Sequence, residues 1–273
     1  MQHEIKKYPV RHPLLKKYIK FFWEIHAEQM QLNHKIIPQR NINLKFNLSE
    51  TPHYVCFDGR EQLLEDVYFS GLQDHFRNAY LKFNSMARML GICFYPEGFY
   101  PFLKIPVSEF KNQVLGAGEV GFKLANTMNE RLKGAPDVTS GLAILENELV
   151  VLLNHGNHTP ENFRQLFNIL KQSDNPLQIA EFCRQNNIGV RQLERMYNKY
   201  VGVSAKTYVT LSRFLNSLNQ LLYRDYSKLS DIAYGNGYFD QMHFIKDFKR
   251  FAGNTPRSFV DQNDSMLQIG KLT

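Results

Sequence analysis

A chain of 273 residues with 43% hydrophobic and 22% charged residues has the make-up of a globular protein long enough for two domains, each with its own core. No apolar run approaches a membrane span, and the opening MQHEIKKYPVRHPLLKKY has no signal-peptide apolar core, so a cytoplasmic chain without membrane association is expected. The net charge of +7 suits a polyanionic partner, and Cys56, Cys93 and Cys183, odd in number and widely spaced, offer neither a disulfide framework nor a metal pattern.

Residues 1–135 read as one α+β domain with a β-barrel or sandwich core. Short runs rich in β-branched and aromatic residues alternate with Pro, Gly, Asn and Asp breaks. They are Ile36–Pro38, Ile42–Leu48, Tyr54–Phe57, Val67–Ser70, Ala79–Phe83 and Met89–Tyr95. Leu14–Trp23 has helical spacing, with Leu14, Leu15, Tyr18, Ile19 and Phe22 on one face. Two further helices are predicted over Ser108–Leu115 and Val120–Leu132. The histidines of this half, His3, His12, His26, His34, His53 and His75, are isolated, so no metal is expected, and no nucleotide-binding or hydrolase motif occurs. Trp23, Tyr95, Phe99 and Tyr100 are the candidates for lining an effector pocket; their other reading is plain core.

Residues 136–160 form a connecting helix and loop. Ser140–Leu153 is a helix apolar on nearly every side and therefore buried, against its own domain, between domains or in a homodimer. The loop His155–Pro160 places two histidines three apart beside Gly and Pro, which reads as solvated loop.

Residues 161–261 read as all-α, followed by a tail at 262–273. Phe163, Leu166, Phe167 and Leu170 make one helical stripe. Ser173–Pro176 is a turn, Leu177–Asn186 a short helix, and Asn187-Ile188-Gly189 a second turn. Arg191–Tyr200 then buries Leu193, Tyr197 and Tyr200 and turns Arg191, Glu194, Arg195 and Asn198 outward. A long helix, Val203–Leu222, connects this pair to another. Leu229, Ile232 and Ala233 share one face, Gly235 and Gly237 permit a turn, and Asp240 is a plausible N-cap. Phe244, Phe248 and Phe251 recur at i, i+4, i+7, leaving Gln241, Met242, Ile245, Lys246 and Lys249 outward. Two helix-turn-helix units joined by one helix are the expected architecture.

The run GYFDQMHFIKDFKRFAGNTPRSF resembles the C-terminal signature of the AraC/XylS family of transcription regulators. The matching residues are Ile232-Ala233, Gly237-Tyr238, Asp240-Gln241, His243-Phe244, Phe248-Lys249, Gly253 and Thr255-Pro256. Arg213 also stands where the family carries an Arg on its connecting helix, and the resemblance covers roughly residues 162–261. Two departures are Gly189, where Ser is frequent, and Ala205, where Pro is common. The N-terminal half more loosely resembles a segment found ahead of such domains, through His12-Pro13-Leu14, Ile37-Pro38, Phe69-Ser70-Gly71 and Gly91–Gly98. The resemblance implies promoter DNA and RNA polymerase as partners. For the first domain it implies effector sensing or dimerisation, with a small-molecule effector and a homodimer as further partners.

Base contacts are expected from Arg191, Glu194, Arg195, Gln241, Met242, Ile245 and Lys246. Arg suits guanine O6/N7, Gln suits adenine N6/N7, Glu accepts from cytosine N4, and apolar tips meet thymine methyls. Lys199, Lys249 and Arg250 are expected at phosphates, which position without specifying. The plain alternative for each cation is a solvated charge. No catalytic residue and no cofactor is expected. The competing reading is a small-molecule-binding or enzymatic β-barrel protein with a degenerate helical domain. A repair protein on the same helical unit would need a reactive Cys that the spacing does not suggest.

Overall fold

The computed structural model describes residues 5–27, 38–57, 59–83, 87–154, 159–171, 179–223 and 227–261. Five of the runs predicted as strands, from Ile42–Leu48 to Met89–Tyr95, pair with other strands into two antiparallel sheets. One contains β1 (Ile5–Tyr8), β2 (Ile19–Ala27), β8 (Ala87–Phe94), β3 (Ile42–Asn47), β6 (Val67–Ser70) and β9 (Val114–Gly116), in that spatial order. The other contains β5 (Arg60–Leu63), β4 (His53–Phe57) and β7 (Ala79–Phe83). The sheets form an open sandwich and do not close into a barrel.

The larger sheet is covered on both faces, which is visible in β3, buried at every position. Ile42, Leu44 and Phe46 join a core beneath α1 (Tyr100–Leu103), α2 (Ala125–Lys133) and α3 (Val138–Asn154). Its opposite face, with Trp23, Ile25, Tyr68, Met89 and Cys93, packs on Val55 and Phe83 of the smaller sheet. Gly91 belongs to this face because the Trp23 indole fills the space where a side chain would stand. A Cβ there would sit 2.1 Å from the ring.

Several expectations need correction. Leu14–Trp23 is not helical: a single 3-10 turn, Leu15–Lys17, leads into β2. Phe22 and Trp23 face opposite cores, and a strand buried on both faces reads as a continuous apolar run that periodicity cannot separate from a helix. Ser108–Leu115 is likewise a 3-10 turn, Val107–Phe110, followed by β9, with Asn112 between them at φ 59. The helix expected from Val120 begins at Ala125. Strands β1 and β5, IKKY and REQL, lacked the apolar alternation that marks a strand, and both lie at sheet edges. Ile36-Ile37, the loop 155–158, the turn 173–176, the first two residues of the helix predicted from Leu177, His3, His34 and the tail 262–273 lie outside the described residues.

Helix α3 buries Gly141, Leu142, Leu145, Leu149 and Leu153 into the core shared with the larger sheet. Its Glu146 accepts the backbone N–H groups of Arg11 (2.6 Å) and His12 (3.1 Å), fastening the start of the chain to the helix. The second half contains α4 (Glu161–Lys171), α5 (Ile179–Gln185), α6 (Val190–Tyr200), α7 (Ala205–Tyr223), α8 (Leu229–Gly235), α9 (Gln241–Ala252) and α10 (Pro256–Asp261). They enclose one aromatic-rich core in which Phe163, Phe167, Tyr197, Tyr208, Phe214 and Phe248 are fully buried.

The halves are joined by specific contacts. Leu72, from the loop after β6, is buried in the helical core. Arg40 donates to Ser212 Oγ at 3.0 Å, and Phe76 N–H donates to the Arg250 carbonyl at 2.9 Å. Tyr100 meets Tyr200 edge-on at 5.0 Å. Gly202, at φ 91, lies against the Val107 carbonyl, so close an approach that a Cβ would come within 2.8 Å of that oxygen.

Candidate nucleic-acid interface

The first helix-turn-helix consists of α5, a turn containing Asn187 at φ 51, and α6. Leu193, Tyr197 and Tyr200 bury one side of α6, which leaves Arg191, Gln192, Arg195, Asn198 and Lys199 in solvent. Gly189 caps α6 in an extended conformation without a side-chain acceptor. Glu194 behaves differently from its expected base-reading role. It is half-buried, and its carboxylate accepts the Ala205 N–H at 3.3 Å, at the first turn of α7. A carboxylate there meets unpaired amides and the positive helix end. Burial raises its pKa while the Ala205 amide opposes the rise.

The second unit consists of α8, a turn through Gly237 at φ 71, and α9. Asp240 caps α9 by accepting the His243 N–H at 2.7 Å. Phe244, Phe248 and Phe251 are fully buried, whereas Gln241, Met242, Lys246 and Lys249 are exposed. Ile245 is half-buried and packs partly on the helical core. Sequence reasoning missed Phe239, 86% exposed beside the cap, and Tyr234, 63% exposed. The available signal was that Tyr234 falls off the buried stripe of its helix and that Phe239 lies in the turn ahead of α9.

Both units are fixed to α7. The guanidinium of Arg213, only 4% exposed, donates to Asp247 Oδ2 on α9 at 2.9 Å and to the Gly237 carbonyl in the turn at 3.2 Å. It also stacks 3.9 Å from the Tyr238 ring centre. Its planar fork serves helix, turn and aromatic face at once, which an ammonium does not do.

Two cations expected at phosphates are engaged by the first half. Lys199 Nζ lies 5.1 Å from the Tyr100 ring and 5.3 Å from the Tyr200 ring. Arg250 donates to the Asp74 carbonyl at 3.2 Å. Arg191, Arg195, Gln241, Lys246 and Lys249 point into solvent from the two second helices.

Residues 182–262, which begin within α5 and include all of α6 to α10, match the family described as a helix-turn-helix domain. They form a helix-turn-helix domain of AraC type. Residues 11–116 match a domain of unknown function, DUF6597. Over 81 residues the chain is 32% identical to the HTH-type transcriptional activator RhaR of Yersinia pseudotuberculosis, covering 30% of this chain and 28% of that protein. Over 73 residues it is 37% identical to the HTH-type transcriptional activator RhaS of Yersinia pestis, covering 27% and 26%. The chain thus spans under a third of the length of these relatives. Among solved structures it is similar to ToxT from Vibrio cholerae, with 11% identity, 88% and 97% coverage and a TM-score of 0.45.

The structure does not bring the four candidate effector residues together around the AraC-type domain or away from it. Trp23 lies between the two sheets and donates to Asn43 Oδ1 at 3.1 Å. Phe99 lies on the opposite face of the larger sheet, against Phe69, Phe94 and Phe110. Tyr100 abuts the AraC-type domain, and Tyr95 lies beneath the Lys171 ammonium, 5.6 Å from it. Among the described residues no three His, Cys, Asp or Glu side chains cluster in a way that would hold a metal ion, and no helix is long and apolar enough to cross a membrane.

Proposed function

We propose that this chain is a sequence-specific transcription regulator of AraC type that reads two adjacent major-groove segments of promoter DNA with α6 and α9. The observation that carries the reading is the pairing of two second helices on one connecting helix. Each buries an aromatic stripe and exposes a face of cationic and amide side chains, and Arg213 holds the second to α7. Segments about one helical turn apart, ~34 Å, present to one side of the duplex. Arg195 is the strongest candidate for guanine, Gln241 for adenine, and Met242 for a thymine methyl. Arg191, Ile245 and Lys246 complete the base-reading set. Lys249 meets phosphate in this reading, and Lys199 and Arg250 reach it once the first half releases them.

The first half acts as the regulatory half in this reading, responding to a small effector. It touches the first unit at Tyr200 and Lys199 and the second at Arg250. A ligand that binds one arrangement of these contacts better than another shifts the population of DNA-competent molecules. RNA polymerase and a second copy of the chain are its expected partners, in the cytoplasm.

Selection of sites from random duplex DNA tests the reading, with wild type beside the double variant Arg195→Ala, Lys246→Ala. The expected result is an enriched motif with two elements about a helical turn apart, lost in the variant. No enrichment at low salt, with or without cell extract as a source of effector, would reject it.

A further inference from the structure

Strand β3 turns Asn43, Lys45 and Asn47 toward the space between the two sheets, and all three are buried. The two asparagines are explained by their partners. Asn43 receives the Trp23 indole N–H, and Asn47 donates to the Thr51 carbonyl and Asp66 Oδ1 while accepting from Ser49 N–H. Lys45 between them has no hydrogen-bonding or ion-pair partner among the described residues. Its Nζ lies 5.2 Å from the centre of the Tyr68 ring, on the neighbouring strand, and it is 5% exposed.

Two more polar groups in this sandwich are unpartnered. The Tyr68 hydroxyl is fully buried without a hydrogen bond. Both ring nitrogens of His53, on β4 of the smaller sheet, are buried and unpartnered as well. A buried hydrogen bond left unmade is costly, and a buried ammonium without a partner costs more. Three such groups from three strands of two sheets are hard to account for as packing. They are complementary to one kind of guest.

We infer that the space between the sheets is a binding site for a small monocarboxylate, with Lys45 taking its charge and the Tyr68 hydroxyl and His53 ring donating to its oxygens. The charge count selects the class. Lys45 is the one cation of the group, and the nearby Asp66 is already engaged by Asn47 and Lys133. A single positive charge balances a carboxylate and leaves a phosphate dianion uncompensated. The surrounding walls, Trp23, Val55, Phe83 and Met89, favour a ligand whose remaining body is hydrocarbon. Burial lowers the Lys45 pKa to about 8, which leaves the amine mostly protonated at neutral pH. The site deepens the effector part of the proposed function, and its occupancy is measured without DNA.

Trp23 is the single tryptophan of the chain, and its ring covers Gly91, the cross-strand partner of Lys45. Its fluorescence therefore reports on the site. The full chain is titrated with butanoate and hexanoate, and with the neutral hexanamide, as wild type, Lys45→Met and Tyr68→Phe. The expected result is a saturable change with the carboxylates, at least about tenfold weaker for hexanamide and for Lys45→Met, and weakened in Tyr68→Phe. Equal titration by hexanoate and hexanamide, an unchanged response in Lys45→Met, or no saturable response into the millimolar range would overturn the proposal. The amide comparison on wild type decides even if a variant fails to fold. Carboxylate binding with no DNA selection would reject only the regulator reading, and the reverse would reject only this site.

Discussion

Lys45 and His53 illustrate how burial alone redirects a titratable side chain. Desolvation moves Lys45 from 10.5 to about 8 and His53 from 6.5 to about 4. Between about 8 and 10.5 the unfolded chain holds a proton on Lys45 that the folded chain has released, so stability rises with pH through that window. Lys45→Met removes the titration. Its unfolding free energy in the absence of ligand is expected to exceed that of wild type at pH 7, by on the order of 3 kcal/mol, with the difference gone above about pH 10.5. Denaturant melts of both proteins across that range check it, and a less stable Lys45→Met would contradict it. For His53 the folded pKa is also depressed, so its contribution is complete above about 6.5 and is lost as pH falls toward 4. Asp66 opposes this shift and Lys45 adds to it. His53→Phe, which keeps a ring against Phe83, is expected to flatten that acid limb when melts are compared at pH 7 and pH 4.5. At Arg213 the logic is pairing. Arg213→Ala strands Asp247, 13% exposed, inside the helical half, and a loss of about 3–5 kcal/mol is expected in thermal or urea unfolding.

Elements differ in how much of their stability is local. Helix α9 starts at Asp240, whose carboxylate satisfies an orphan amide, so Asp240→Ala is expected to cost about 1 kcal/mol by urea melt. Helix α6 starts at Gly189, which has nothing to accept with, and gains only a few tenths when Ser replaces it. At α7 the first turn borrows the Glu194 carboxylate from the preceding helix. The element that looked helical and is not, Leu14 to Trp23, shows the opposite case. Its strand form follows from β1 and β8 on its two edges and a core on each face, none of which is encoded within its own ten residues.

At the scale of the molecule, the two halves are coupled through side-chain and backbone contacts, and Leu72 is among the most deeply buried of them. A charge there, as in Leu72→Asp, removes an apolar side chain from the helical core and places a carboxylate in it. Calorimetry is expected to resolve two unfolding transitions in this variant where wild type shows one. A single transition at lower temperature would mean that the halves do not fold independently. DNA binding should weaken steeply with salt, in proportion to the phosphates neutralised. Lys249→Ala is expected to lower that slope by about one without altering the preferred sequence, while Arg195→Ala relaxes the preference at one base pair.

The stretch Leu229 to Phe259 determined its own structure. An i, i+4, i+7 aromatic stripe, an Asp at the cap and a Gly in the turn are local instructions, and they led to the AraC-type domain without help from distant residues. The strand-rich first half and the helical second half were legible for the same reason, because pattern period sets element type. What the tertiary structure decided depends on partners far away in sequence. Glu194 became a helix acceptor because α7 begins beside it. Lys199 and Arg250 were turned toward the first half because Tyr100 and Asp74 lie there. Lys45 became a buried ammonium without a hydrogen-bonding partner among the described residues because two sheets close over an alternate position of β3. An exposed face and a second buried face have the same period of two, and only the chain packed on top distinguishes them.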